Sequence, residues 1–206
     1  AANTASATVS AFGVFAVGSQ PSTVPFIFNT LPTKTYGDPD FNGGAVSLNT
    51  TQPITYTSSN PAVATIAAGL IHITGAGTTD ITAAQASDGF YPAASVTRTL
   101  TVNKAPLTIT ADNKTKFFSQ AVPTLTFTYS GFVYSETAAA LLTPVTISTT
   151  ATAASPVGTY PITVAGATSN NYAITFVPGI LTVQAQSAQT ITFAAPSAKT
   201  YGNADF

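Results

Sequence analysis

Apolar and polar positions alternate with a period of two along most of the chain. Leu107-Thr108-Ile109-Thr110, Leu125-Thr126-Phe127-Thr128-Tyr129, Tyr160-Pro161-Ile162-Thr163-Val164 and Tyr172-Ala173-Ile174-Thr175-Phe176 place an apolar side chain at every second residue, with Thr or another small residue between. A strand points successive side chains to opposite faces, so this pattern in β-branched and aromatic residues predicts strands with one buried face. Ser59-Asn60-Pro61, Ala76-Gly77, Ser155-Pro156-Val157-Gly158 and Pro178-Gly179 interrupt the pattern with turn-forming residues. Helical spacing is nowhere sustained; only Glu136 to Leu142 leans that way, for one or two turns. The prediction is all-β, built as small antiparallel sandwiches.

The sequence repeats itself. Lys34-Thr35-Tyr36-Gly37-Asp38-Pro39-Asp40-Phe41 returns as Lys199-Thr200-Tyr201-Gly202-Asn203-Ala204-Asp205-Phe206, 165 residues later, with six of eight positions identical. Phe28 ahead of the first copy matches Phe193 ahead of the second. Leu100-Thr101-Val102 and Leu181-Thr182-Val183, 81 residues apart, each close a β-rich stretch. Four segments follow: a leading stretch 1–23, modules at 24–104 and 105–185, and the first strand of a third module at 186–206. Because Phe206 falls inside that third copy, the chain reads as part of a longer tandem array or as a unit completed by a neighbouring chain.

Composition then narrows the chemistry. Charged residues are 6% of 206, against about a quarter in an ordinary soluble domain. With 45% apolar residues and 13 Phe there is ample material for a core. Six basic residues and a net charge of −1 argue against nucleic-acid or anionic-membrane surfaces. Without Cys there are no disulfides or thiolate metal sites, and one His cannot build a multi-histidine site. Ala11 to Val17 is too short to span a bilayer, which takes about 20 apolar residues.

Two stretches carry family resemblances. Ile54-Thr55-Tyr56-Thr57-Ser58-Ser59-Asn60-Pro61-Ala62-Val63-Ala64-Thr65-Ile66, followed by Gly75-Ala76-Gly77-Thr78-Thr79-Asp80-Ile81-Thr82-Ala83, resembles the group 2 bacterial immunoglobulin-like repeats of intimin and invasin relatives. Leu107 to Lys116, Val122-Pro123-Thr124-Leu125-Thr126, Gly131-Phe132-Val133, Ser155 to Val164, Asn171-Tyr172 and Pro178 to Val183 resemble the mostly-β repeat called MBG, YGX type. That repeat is common in large secreted proteins of Bacteroidetes-like bacteria. The resemblances imply tandem immunoglobulin-like sandwiches. The Tyr-Gly-Asp of Tyr36-Gly37-Asp38 is replaced in the second module by Phe118-Ser119-Gln120. Losing the glycine predicts a bend that avoids positive φ or has changed shape.

Candidate chemistry is sparse, and no catalytic residues are assigned. His72, between Ile71 and Ile73, is expected on the solvent face of its strand, and Asp80 is its nearest acid in sequence. Asp38 and Asp40 offer two carboxylates to a calcium ion, though such an ion takes about six to eight oxygens; a turn closed by Asx hydrogen bonds is the plainer reading. Glycoside hydrolysis needs paired carboxylates, and seven acids with Glu136 the lone glutamate offer no obvious pair. Tyr91, Tyr134 and Tyr172 are candidates for stacking on sugars, and Phe90 with Tyr91 is the best local aromatic pair for a ligand.

The function expected is structural rather than enzymatic. It is a stalk or spacer repeat of a large cell-surface or secreted adhesin-like protein, without cofactor unless calcium binds. Expected partners are neighbouring modules of the same chain, and other copies joined laterally into fibres or by strand donation. Two alternatives stay open. One is a module recognising a glycan or host protein; the other is an accessory region of a large secreted enzyme. Neither nucleic acid nor membrane insertion is expected.

Overall fold

The computed structural model of the chain describes residues 25–195 together with 198 and 201. The leading stretch 1–23 and most of the residues after 195 lie outside the described residues. So does the question of whether Thr8 to Val17 is donated as a strand. Among the described residues all regular structure is β except one short 3-10 turn, and no helix is long and apolar enough to cross a membrane. The chain forms two compact units. The first gathers residues up to 107 with 131–143 and 168–174; the second takes 108–130, 144–167 and the chain from 175 onward.

In the first unit the strands are β1 (Phe26–Ile27), β2 (Lys34–Thr35), β3 (Val46–Ser47), β4 (Ile54–Ser58), β5 (Ala64–Ala67), β6 (Leu70–Ile73), β7 (Gly77–Gln85) and β8 (Ala94–Asn103). A four-stranded sheet runs in the order β2-β8-β7-β4, accompanied by the pairs β1-β3 and β5-β6. Alternation does what the sequence predicts. Along β7, Thr79, Ile81, Ala83 and Gln85 are buried, while Thr78 and Asp80 face water. Phe28, Ile71, Ile73, Ile81 and Leu100 are fully buried, each worth about 1.5–3 kcal/mol of apolar burial. The buried Gln85 is satisfied, its Nε2 donating to the carbonyls of Asn49 at 2.8 Å and Gln52 at 2.6 Å.

Strand β9 (Ala105–Ala111) contributes to both units. The second unit continues with β10 (Lys114–Phe117), β11 (Phe127–Ser130), β12 (Thr146–Thr149), β13 (Gly158–Ala165), β14 (Tyr172–Val177, shared like β9) and β15 (Gly179–Gln184). One sheet runs β10-β15-β13-β12 and the other β11-β9-β14. Ile109, Ile162, Leu181 and Val183 make its core. Pro178-Gly179, read from sequence as a turn, is the corner at which the chain passes from one sheet to the other. The helix-leaning run around Glu136 to Leu142 narrows to a 3-10 turn at Ala138–Ala140, capped by the Thr137 side chain.

Two findings depart from expectation. The sheets are not purely antiparallel: β2 pairs parallel with β8, and β10 pairs parallel with β15. In each four-stranded sheet the first strand therefore lies beside the last and runs toward the same end, which a chain returning from another sheet allows. The second concerns the turn that follows each of these edge strands. In the first unit Tyr36 N donates to Asn103 O at 2.9 Å, Asp38 N to Thr35 O at 2.9 Å, and Thr35 N to the Asp38 carboxylate at 2.9 Å. In the second unit Phe118 N donates to Gln184 O at 2.8 Å, Gln120 N to Phe117 O at 3.1 Å, and Phe117 N to the Gln120 side-chain oxygen at 3.1 Å. The same three bonds hold both turns. Gly37 has φ +99° and Ser119 keeps φ +67°, so losing the glycine neither removes positive φ nor changes the bend. The hydrogen-bonded ring dictates the backbone, and a non-glycine residue there costs about 1–2 kcal/mol.

Candidate functional site

The densest set of polar and aromatic groups in the first unit is assembled from residues far apart in sequence. The turn after β2 directs Tyr36 inward, where it is 5% exposed. Its hydroxyl donates to Glu136 Oε1 at 2.9 Å. Tyr172, 2% exposed at the start of β14, donates to the other carboxylate oxygen, Glu136 Oε2. The Tyr172 oxygen in turn accepts from Val133 N at 3.1 Å. Tyr36 meets Tyr172 and Tyr134 edge-to-face, at centroid distances of 5.7 and 5.3 Å, and Phe132 meets Tyr172 the same way at 5.3 Å. These are favourable aromatic geometries.

Local backbone chemistry places the carboxylate. Tyr134 and Ser135 both take left-handed φ, +51° and +58°, and Glu136 N bonds back to Val133 O at 2.9 Å, which turns the glutamate inward. Gly37 is needed opposite: a Cβ there would sit 2.7–2.9 Å from the Val133 side chain. Burial first, and then the Glu136 carboxylate, push the Tyr36 hydroxyl up to about 12. Tyr172 is pushed up to about 12 by the same two causes in the same order. Tyr134 is also raised, mainly by burial, with Asp40, Asp38 and Glu136 adding to it.

The residues singled out in the sequence fall around this cluster or away from it. Asp38 is occupied in the turn: its carboxylate accepts from Thr35 N, and its carbonyl accepts from the Tyr134 hydroxyl at 3.3 Å. Asp40 Oδ1 lies 2.6 Å from His72 Nδ1, with both side chains 40% exposed. No group of three or more His, Asp or Glu side chains fit to hold a metal ion occurs among the described residues. The sugar-stacking candidate Tyr172 is corrected by the structure, because it is buried. Tyr134 stays 47% exposed, with its hydroxyl on the backbone carbonyls of Asp38 and Ile73.

Phe90 and Tyr91 stand apart, in the loop joining β7 to β8. Asp88 accepts from Phe90 N at 3.0 Å, Tyr91 N at 2.7 Å and the Thr51 hydroxyl at 2.6 Å, and these bonds lower its pKa, the Thr51 hydroxyl first. Phe90 is 51% exposed, and its ring stands at 89° to that of Tyr91. Two perpendicular rings do not make one flat platform for a sugar face, although either ring can pack against an apolar group.

Each oxygen of the part-buried Glu136 carboxylate accepts one tyrosine hydroxyl, so the carboxylate is engaged in holding the two tyrosines together. No local motif marks Glu136 as the centre of this cluster, because its partners stand 100 and 36 residues away. The His72–Asp40 pair, 32 residues apart, went unseen for the same reason.

The stretch supplying Glu136 and Tyr172 is similar to a known family. Residues 107–182 match the MBG domain (YGX type). MBG domains occur in extracellular proteins. The match falls within the second sequence module. No curated protein matches the chain. Among solved structures, a crystal structure of Drosophila N-cadherin EC1-4 aligns at 9% identity with a TM-score of 0.28, over 73% of this chain and 46% of that one. A crystal structure of Drosophila N-cadherin EC1-3 aligns at 12% identity with a TM-score of 0.27, over 78% of this chain and 67% of that one. The chain thus spans less than half of the first of these, and at such TM-scores the likeness bears on neither fold nor function.

Proposed function

We propose that the chain is a structural repeat, a stalk or spacer segment of a large bacterial surface or secreted adhesin-like protein, and that it performs no catalysis. One observation carries this reading. Both carboxylate oxygens of Glu136 and the hydroxyls of the buried Tyr36 and Tyr172 are engaged in internal bonds between residues far apart in sequence, as in a device for holding segments together. The MBG match and the internal repeat support it. So does the placement of β2 beside β8 and of β10 beside β15. A first strand lying parallel and adjacent to the last strand of its sheet is loaded in shear when the chain is pulled, across four residue pairs in β10-β15 and two in β2-β8.

An immunoglobulin-like identity for residues 24–104 belongs to the same proposal, as do cell-surface location and lateral or strand-donating assembly. A second reading has one observation in its favour: the exposed Phe90 on a loop tied down by Asp88 suits a module that recognises a glycan or a host protein. The test is binding of the full chain to a panel of polysaccharides and host-surface proteins, with calcium and with chelator. The structural reading predicts no saturable binding. Saturable binding lost in a Phe90→Ala, Tyr91→Ala variant would replace it with the recognition reading.

A further inference from the structure

The two equivalent turns have different surroundings. Tyr36-Gly37-Asp38 is covered within the first unit by the loops at 131–143 and 168–174. Phe118-Ser119-Gln120, made by the same three hydrogen bonds, is open. Phe117 and Phe118 are each 42% exposed, beside a groove of about 350 Å³ lined by Phe117, Gln120, Gln186 and Ser187. Resting on the reading of the chain as one segment of a repeat array, we infer that the Phe117–Phe118 turn is a docking surface for a further copy of this repeat, and that it takes that copy's Phe90–Tyr91 loop.

Topology selects the loop. The sheets β2-β8-β7-β4 and β10-β15-β13-β12 share order and strand directions, so β4 corresponds to β12 and β7 to β13. The loops that cover Tyr36 precede β12 and follow β13. Their counterparts in the first unit precede β4 and follow β7, and the latter is the loop bearing Asp88, Phe90 and Tyr91. Sequence selects the copy. After β15 the chain restarts the first module's sequence, with Phe193 in place of Phe28 and Lys199-Thr200-Tyr201-Gly202 in place of Lys34-Thr35-Tyr36-Gly37. The module adjoining the Phe118 turn in an array therefore has the sequence type that carries Phe90.

The chemistry is matched at each junction. The turn that carries a hydroxyl, at Tyr36, meets a carboxylate, Glu136. The turn that lacks one, at Phe118, faces a loop with no glutamate, whose single acid, Asp88, is already bound to Thr51 and to two backbone amides. Exposed aromatic edges on both sides are what remains to pair. Crossing the partners would leave the part-buried Glu136 carboxylate with the Tyr172 hydroxyl alone and its other oxygen without a donor, which penalises the wrong order of modules.

The test uses the full chain in solution. Head-to-tail contacts between copies are followed by NMR as concentration rises to about 1 mM, the range in which contacts worth about 4 kcal/mol are seen. Signals of Phe117, Phe118 and Gln120 and those of Phe90 and Tyr91 should shift together, and association should be open-ended. Phe118→Ser and Phe90→Ser should each abolish it, with Phe118→Lys as a second variant should the first disturb folding. Mixing the Phe118→Ser and Phe90→Ser chains should restore a 1:1 pair and nothing larger, because each supplies the end the other lacks. Overturning results are no shifts at either end, shifts at one end alone, or association indifferent to the substitutions. Those outcomes leave the structural reading intact if the binding panel is silent, and a positive panel leaves this inference intact if the ends pair.

Discussion

Replacing Glu136 by Ala removes the acceptor for two tyrosine hydroxyls at once. One bond, 2.9 Å long, comes from Tyr36 and the other from Tyr172. A hydrogen bond to a charged group contributes about 1.5–3 kcal/mol, and a buried donor left without an acceptor costs about 1–3 kcal/mol. Tyr172 keeps the amide of Val133 as a donor to its oxygen but has no replacement acceptor for its proton. Against this stands the partial burial of the carboxylate itself, which the substitution relieves. The expected net loss is about 3–4 kcal/mol in the first unit. Glu136→Gln keeps the shape and one acceptor, and should lose about 1–2 kcal/mol. Because the chain holds two units, a single unfolding curve mixes them, so the suitable assay is amide hydrogen exchange read at Ile81 and Leu100, deep in β7 and β8. Their protection should fall about a hundred- to a thousand-fold in Glu136→Ala. In a double-mutant cycle with Tyr36→Phe the two substitutions should couple by about 1–2 kcal/mol. A loss below about 0.5 kcal/mol, or strict additivity with Tyr36→Phe, would refute the claim that this carboxylate ties the segments together.

Three further outcomes are expected. Tyr36 and Tyr172 are raised above their ordinary value of 10, so the stability they confer is fully present below pH 10 and is lost as pH climbs through about 12. Absorbance titration should show tyrosinate forming late, together with loss of the first unit, and titration of every tyrosine near 10 while the chain stays folded would contradict this. Gly37→Ala should destabilise by more than about 1 kcal/mol, because its Cβ meets Val133 at φ +99°, whereas Ser119→Gly at φ +67° should be stabilising by up to about 1 kcal/mol; thermal melts check both. Lys116 is 4% exposed and donates to the carbonyls of Gln120 and Ala153, each at 3.1 Å, so Lys116→Ala should cost the second unit about 2–3 kcal/mol by hydrogen exchange at Leu181.

What was legible in the sequence was local. Alternation in β9, β11, β13 and β14 placed the strands because the side-chain period of two survives wherever one face is buried. The Lys-Thr-Tyr-Gly repeat was legible as a turn because its closing bonds lie within three residues. The bend at Phe118-Ser119-Gln120 was misread, since the backbone ring, rather than the glycine, sets its shape. The parallel pairing of β2 and β10 was illegible, as alternation carries no strand direction. So was the tyrosine–carboxylate cluster, whose members are brought together by long-range folding and share no motif.

The most direct test of the structural account is to pull a single full-length chain by its two ends. Edge strands β2 and β10, each parallel to the last strand of its sheet, should make the units resist as sheared ladders, opening in abrupt steps at forces well above thermal noise. A smooth extension with no resolved steps would contradict the claim that this chain exists to carry load and hold distance.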